Sequence, residues 1–444
     1  MGVVKIEISN EDLQIIDYYK GNIFPLMYES NEYYNNRNTV ILDRKKSFFK
    51  NGGGTAEDPY RANWKLPSNY FKLLTKQKVN YLINKKTSIP EEVEEIAGKF
   101  LRNELKKIGE KASVNGYSAL QVYINQEGKF SYKIIPSNQI IPFWKDDELV
   151  KVIRVYKTNE FGKEKEITEI WDMEQVAYFE KNEGNYNLLN FEDGINPRPH
   201  IIQTSSINNN VINKKGLTWN RPPFCILKNN DELTGDLYQI KDFIDIYDIV
   251  SSDFANNIDD FQDLYWVLKN YQGQDIDEFF ENMKRYRSVK VGEDGGVDTK
   301  QIEIPVEARK TFLDIVEKLI YKFGMGVNPD DIEGNITNVR IKALYSNLDL
   351  KANDFEGEII DFWNQFIYFV NMFQKIKNGA EVENYIEFDR SMILNKIELA
   401  TLSNQSIGAI SEETRLKNDP RVENVEEEIA RMKEEKEPQI LPEV

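Results

Sequence analysis

The sequence predicts an α+β protein built from several parts, and three observations predict it. A helical rhythm runs through residues 68–115, a period-two rhythm replaces it from 117 to about 181, and long amphipathic stretches follow after 236. The chain has 444 residues, 40% hydrophobic and 12% aromatic, enough for sizeable cores and, at ~150 residues per domain, for about three domains.

Taken in order, residues 10–36 open on Asn10 as a candidate N-cap with acids behind it, while Gly21 and Pro25 predict a short helix followed by an irregular arm. Asn51 to Gly54, NGGG, reads as a solvated loop. From Ser68 or Asn69, Phe71, Leu74, Val79 and Leu82 share a helical face, and a second helix is expected from about Glu91 to Asn115, stopped by Gly116. The run ALQVYINQEGKFSYKIIPSNQIIPFW then alternates β-branched and aromatic residues about a turn at Gln126, Glu127 and Gly128, which predicts a hairpin. Strands near 151–158, 166–173 and 175–182 continue it as an antiparallel meander, and the Asn, Gly and Pro of 183–220 predict loop.

Residues 236–268 carry the longest amphipathic pattern of the first two-thirds. Leu237, Ile240, Phe243, Ile244, Tyr247, Val250, Phe254, Ile258, Phe261 and Tyr265 fall on one arc, with Asp242, Asp245, Asp248, Asp253, Asp259, Asp260 and Asp263 opposite. That predicts one helix with a packed face and a solvated acidic face. A small α/β insert is expected next, with a helix at Asp275 to Tyr286 and a hairpin of 287–291 and 297–304 around Glu293 to Gly296. Pro305 opens a helix with Phe312, Leu313, Val316, Leu319, Ile320 and Phe323 on one side and Lys310, Asp314, Lys318 and Lys322 on the other. The polar loop Gly324 to Gly334 interrupts two good helices, a placement in which function concentrates. A helix over 338–377 follows, up to about 60 Å long if unbroken, with Gly357 as a point of bending. A short strand near Tyr385 to Phe388 and terminal helices, one capped by Ser411, complete the chain, and residues 438–444 are expected to be disordered.

The chemistry available is narrow. Cys225 is the single cysteine, which excludes an intrachain disulfide framework and Cys-rich metal sites; behind two prolines it reads as a small buried hydrophobe. His200 is the single histidine and is expected on a surface loop, so His-activated nucleophiles and multi-His metal sites lack material. No GK[ST] triplet exists to make a phosphate-binding loop. No run of ~20 apolar residues and no signal peptide is present, so a soluble protein used in the cytoplasm, away from membranes, is expected. Lys and Arg number 57 against 74 Asp and Glu, and the resulting charge of −17 argues against a protein that coats nucleic acid. The compact basic cluster Lys284, Arg285, Arg287 and Lys290, with Tyr286 inside it, reads equally as a charged hairpin edge and as a contact for a partner or a nucleic-acid backbone. Asp314 and Lys318, four residues apart, read first as a helix-surface pair.

The order of these parts resembles the bacteriophage portal proteins, the head-to-tail connectors of tailed phages, over most of the chain. The segments that carry the resemblance are EYYNNRNTVILDRK, SNYFKLLTKQKVNYLINKK, VNGYSALQVYINQEGKFSYKIIPSNQIIPFW, the long run from Pro222 to Leu268, IYKFGMGVN, GNITNVRIKALYSNLDLKA and GAISEETRLKNDPRVENVEEEIARMKEE. One departure is that Thr337 and Asn338 stand where the family commonly has Ser-Gly. The resemblance implies a portal fold: an N-terminal arm and start of the wing at 1–66, an α/β wing at 67–230, stem helices at 231–262 and 305–323, and a clip at 263–304. A tunnel loop at 324–336, a long wing helix with its returning strand at 337–390, a helical crown at 391–437 and a tail at 438–444 complete it.

It further implies a ring, typically a dodecamer, at one capsid vertex of the virion, assembled in the bacterial cytoplasm, with double-stranded DNA in its channel. The implied partners are the terminase packaging ATPase, a head-tail adaptor and the capsid or scaffold proteins; no cofactor, no metal and no enzymatic activity are implied. Tunnel-loop residues Met325, Val327, Asn328, Asp330, Asp331 and Asn335 would meet DNA, Lys318 and Lys322 are lumen candidates, and Lys284, Arg285, Arg287 and Lys290 would be clip contacts. Two other readings compete: a non-channel structural adaptor of a phage or prophage particle, and a carboxylate-only, metal-dependent nuclease.

Overall fold

Ser9 starts the first helix by accepting the Asp12 amide at 3.1 Å, one residue before the expected cap. Helix α1 (Asn10–Tyr18) runs through a π turn at Tyr19–Ile23 directly into α2 (Phe24–Tyr34), so the irregular arm expected beyond Gly21 is helical instead. The wider turn ends at Ile23, so Pro25 falls at the second residue of α2, beside the turn where the backbone pairing is already altered. The computed structural model describes residues 8–45, 47–49, 55–57, 62–84, 87–99, 101–160, 162–207, 210–260, 265–269, 296–300, 305–332, 337–390, 396–417, 419, 421, 422 and 424–436. The Asn51 to Gly54 loop, the helix expected at 275–286 and the tail expected at 438–444 lie outside them.

Along the chain follow the short α3 (Thr39–Leu42), a hairpin of β1 (Ser47–Phe49) with β2 (Thr55–Glu57), and α4 (Tyr70–Leu82). The single helix expected over 91–115 is two, α5 (Glu91–Ala97) and α6 (Leu101–Asn115), parted at Gly98. Gly116 ends α6 at φ +90°, and a Cβ there would stand 2.0 Å from the Leu233 carbonyl oxygen, so the site demands glycine on two grounds.

The expected hairpin is β3 (Tyr117–Ile124) with β4 (Phe130–Ile135), and the meander is β5 (Ile140–Lys145), β6 (Glu148–Glu160), β7 (Lys163–Trp171) and β8 (Gln175–Asn182), all antiparallel. Residues 183–220 are not simply loop. They hold β9 (Asn185–Leu188) and β10 (Arg198–Pro199), both on β8, and a hairpin of β11 (Ile201–Ile207) with β12 (Asn210–Leu217). Polar strands of this kind lack the apolar alternation that betrays a strand in sequence. Strand β13 (Phe224–Lys228) returns to pair with β3, giving the sheet order β13-β3-β4.

Helix α7 (Lys241–Asp260) is preceded by a 3₁₀ turn at Asp236–Gln239, and residues 265–268, expected to continue it, are strand instead. Beyond it β14 (Tyr265–Lys269) pairs with β15 (Gly296–Lys300), whose expected partner, 287–291, lies outside the described residues. Helix α8 (Val306–Phe323), the 3₁₀ turn Pro329–Ile332 and the 39-residue α9 (Asn338–Ile376) come next. Gly357 does not break α9. The strand expected near 385–388 is a single bridge, Ser88 with Glu387. Helices α10 (Lys396–Gln405), α11 (Glu412–Lys417) and α12 (Val425–Lys436) end the chain, α11 being capped by the Ser411 hydroxyl as expected.

The chain divides into two compact units. Unit 1 comprises 1–27, 74–236 and 325–444. Its main core is the apolar stripe of α9, with Phe355, Phe362, Trp363, Phe366 and Phe369 buried against Leu120, Val122, Phe130 and Leu227 of the β13-β3-β4 sheet and against α4, α5 and α6. Phe366 meets Phe130 and Tyr132 edge-on at 5.7 and 5.9 Å, a favoured aromatic arrangement. Unit 2 comprises 28–73 and 237–324, with α7 and α8 packed along each other and Phe243 stacked on Phe323 at 5.2 Å.

Candidate functional site

Within the loop between α8 and α9, five consecutive residues, 324–328, carry the restraints. Gly324 closes α8 by donating to the Ile320 carbonyl at 2.8 Å, and Met325 takes φ +54°, which turns the chain out of the helix axis. At Gly326 a Cβ would stand 2.1 Å from Leu74 Cδ2 and 2.8 Å from Gln77 Oε1, so the backbone rests directly on α4. Val327 then donates its amide to Gln77 Oε1 at 3.1 Å and receives Gln77 Nε2 on its carbonyl at 2.7 Å. Asn328 folds the next turn, its side chain accepting the Asp330 amide at 3.1 Å and its carbonyl the Asp331 amide at 3.2 Å.

The loop candidates therefore separate. Val327 is 5% exposed and turned into the unit 1 core, whereas Asp330 and Asp331 lie in water on the Pro329–Ile332 turn and Met325 and Asn328 are half-buried. Asn335 lies outside the described residues, as do Lys284, Arg285, Arg287 and Lys290. Lys318 and Lys322 are exposed on α8. The expected Asp314–Lys318 pair does not form; neither side chain makes an ion pair among the described residues.

A charged cluster sits inside unit 1 beside the same stretch of α4. Lys78, 2% exposed, places Nζ 2.5 Å from Asn229 Oδ1, 3.2 Å from Asp236 Oδ2 and 4.1 Å from the Phe355 ring centre. Lys351 of α9 reaches the same carboxylate oxygen at 3.0 Å, and Asn229 Nδ2 donates to the other at 2.9 Å. Burial brings the Lys78 ammonium down to about 8 despite Asp236. Burial alone would raise the Asp236 carboxyl, but Lys351, then Lys78 and the Asn229 hydrogen bond hold it well below the usual carboxylate range. Among the described residues no group of three or more His, Cys, Asp or Glu is arranged to hold a metal ion.

A family profile described as phage portal protein, SPP1 Gp6-like, matches residues 13–440, nearly the whole chain. The chain belongs to the phage portal protein family. The portal protein of Bacillus phage SPP1 is 30% identical over 418 residues, covering 89% of this chain and 80% of that one. The portal protein of Clostridium phage phiCD119 (strain Clostridium difficile/United States/Govind/2006) is 28% identical over 425 residues, covering 90% of each. A solved structure, the neck of an empty GTA particle computed with C6 symmetry, aligns over 82% of this chain and 90% of that chain at TM-score 0.39 and 12% identity. No helix among the described residues of this portal-family chain is long and apolar enough to cross a membrane.

Asp242 is exposed as expected, but further along α7 the acidic side corrects the reading of a solvated face. Asp248 is fully buried and accepts Asn38 Nδ2 at 2.5 Å and the Ser68 amide at 2.9 Å; Asp245 accepts the Tyr33 hydroxyl and Lys241. Asp253 binds Arg44 at 2.9 Å, and Asp259 accepts the Trp64 indole N–H at 2.8 Å. The row of carboxylates is thus the surface on which segment 33–68 is hydrogen-bonded, and the partners, up to 212 residues away, leave no local trace in sequence. His200 is likewise not a free surface residue. Its ring lies 5.8 Å from that of Trp171 and its Nδ1 is 3.2 Å from Thr218 Oγ1; burial lowers its pKa. Cys225 is buried on β13 as expected, and burial pushes its thiol up. The residue that sequence reasoning missed is Gln77, whose place among the polar positions of an amphipathic helix gives no sign of its contact with Val327.

Proposed function

We propose that this protein forms a ring, of about a dozen copies, at one vertex of a phage capsid, through which double-stranded DNA is packaged and ejected. Family membership over residues 13–440 carries the reading. The wing is 67–230, the stem helices 231–262 and 305–323, the clip 263–304, the tunnel loop 324–336, the long wing helix with its returning strand 337–390 and the crown 391–437, with the arm at 1–66 and the tail at 438–444. The terminase ATPase and a head-tail adaptor dock on the ring, the basic clip cluster Lys284, Arg285, Arg287 and Lys290 being one contact, and capsid or scaffold proteins surround it. Unit 2 supports assembly: Val306 and Phe312 of α8, turned about a quarter-turn or more from the Lys318 and Lys322 side, are 47% and 42% exposed, apolar surface of the kind a neighbouring copy covers.

Charge agrees with a conduit. At −17 per chain, a twelvefold ring carries about −200, a field that keeps DNA from adhering to its passage. Exposed Lys318 and Lys322 repeat as weak, evenly spaced phosphate contacts, and the tunnel loop meets DNA by position, without base reading. The decisive experiment is the native mass of the purified full chain with negative-stain images of the same sample. A pored ring of about twelve subunits is expected, and a monomer that persists at high protein concentration would overturn the channel. Particles carrying Lys318→Ala and Lys322→Ala should translocate DNA at an altered rate; an unchanged rate removes the lumen assignment alone.

A further inference from the structure

We infer that Gln77 is the positioning residue of the 325–332 loop: its side-chain amide, carried on α4, sets where the exposed Asp330–Asp331 turn stands and so how the channel lining meets DNA. The inference rests on the channel reading for the role of the loop and on geometry for the role of Gln77. A glutamine that both accepts from and donates to one backbone residue supplies a complete rung of β pairing from a side chain. The same device recurs in unit 1, where Gln365 of α9 accepts the Ile226 amide at 2.9 Å and donates to its carbonyl at 3.3 Å.

What makes the first instance a positioning device is that both ends are fixed. On α4, Leu74 lies against Gly326, leaving no room for a Cβ. Lys78, the neighbour of Gln77, is held by Asn229 and Asp236, so the helix cannot rotate to follow the loop. From Val327 onward the loop is short and internally bonded, Asn328 to Asp330 and Asn328 to Asp331. A displacement of Val327 therefore passes to Asp330 and Asp331 with little slack. Both carboxylates act on phosphate by repulsion, which decays over about 8 Å at physiological salt, so a shift of a few ångströms changes what DNA experiences.

The test uses the full chain. Gln77→Leu removes both hydrogen bonds at nearly constant volume, Gln77→Glu keeps only the acceptor for the Val327 amide, and Gly326→Ala forces Leu74 and the loop apart by a different route. Amide exchange, native mass and DNA length per assembled particle are measured for each. In Gln77→Leu, exchange at Val327 should rise about tenfold, with α9 protection and native mass unchanged and packaged DNA reduced several-fold. Gln77→Glu should fall between it and the parent, and Gly326→Ala should reproduce Gln77→Leu. Unchanged exchange at Val327 in Gln77→Leu overturns the inference. So does a loosened loop with normal packaging, if the double variant Asp330→Asn, Asp331→Asn alters packaging, since the loop would then matter and its anchor would not. If that double variant also packages normally, the loop has no role with DNA and both readings of it fall together.

Discussion

Unit 1 and unit 2 solve the same problem, holding distant segments together, with different materials. In unit 1 the seam is apolar: α9 sets Phe355, Phe362 and Phe366 into a sheet-backed core, each side chain at most 1% exposed. In unit 2 the seam between segment 33–68 and α7 is a row of directed hydrogen bonds onto Asp245, Asp248, Asp253 and Asp259. The apolar seam tolerates small misalignments because burial is non-directional. The polar seam demands register, because each unpaired partner left without water carries a penalty.

The largest effect that would sharpen this contrast is at Phe366, where Phe366→Ala should cost about 3–5 kcal/mol of unit 1 stability in denaturant unfolding. A loss under ~1 kcal/mol would mean that the seam can close over the gap. Next, Asp236→Ala strands Lys78 and Lys351 beside each other and should cost about 3 kcal/mol or somewhat more. Lys78→Met should cost clearly less, because Asp236 keeps Lys351 at 3.0 Å. If the two variants are equal, the cluster is not organised around the carboxylate. In unit 2, Asp248→Ala leaves Asn38 and the Ser68 amide without their acceptor and should cost about 1–3 kcal/mol, read as faster proteolysis within segment 38–68 at unchanged unit 1 stability.

Acidity should also separate the units, with smaller effects. Burial raises the Asp248 carboxyl, with Asn38 and Ser68 only partly opposing it. Folded unit 2 therefore binds that proton more readily than the unfolded chain, and this group's contribution grows as pH falls through the raised value toward 3.8. Asp236 behaves oppositely: held low, it stabilises unit 1 above 3.8 and loses that contribution as pH falls through its folded value. At the alkaline end Lys78 titrates near 8 folded and 10.5 unfolded, so across that window the unfolded state binds more protons and unit 1 gains stability with rising pH. Comparing unfolding at pH 8 and 10 in the parent and in Lys78→Met isolates this term; equal slopes would remove it. The smallest effect is expected at Arg431→Ala on α12, whose exposed pairs with Glu427 and Glu428 are worth at most about 0.5 kcal/mol.

The apolar seam is also the part that was legible in sequence. The run of α9 expected over 338–377, the stop at Gly116, the hairpin turn at Gly128 and the meander of β5–β8 follow from period and turn chemistry, which are local. The polar seam was not legible, because an aspartate that receives Asn38 and one that faces water look alike in a helical wheel. The same holds for Gln77 and for the polar hairpin β11–β12, where pairing is decided by backbone and by partners far along the chain. The π turn hid the continuity of α1 and α2, since Gly21 and Pro25 are ordinarily signs of a break. The interruption between two helices was legible from the Gly, Asn, Asp and Pro of 324–334, while the burial of Val327 within it was not.

The long sequence separation inside unit 2 has a consequence for the newborn chain. Tyr33 leaves the ribosome 212 residues ahead of Asp245. At roughly 5–20 residues per second, segment 33–68 waits about 10–40 s before the carboxylates that hold it exist. During that interval unit 2 has no template, so its first segment spends its early life as a ligand awaiting its receptor, and a pause in translation before residue 241 would lengthen that exposure without changing a single contact of the finished protein.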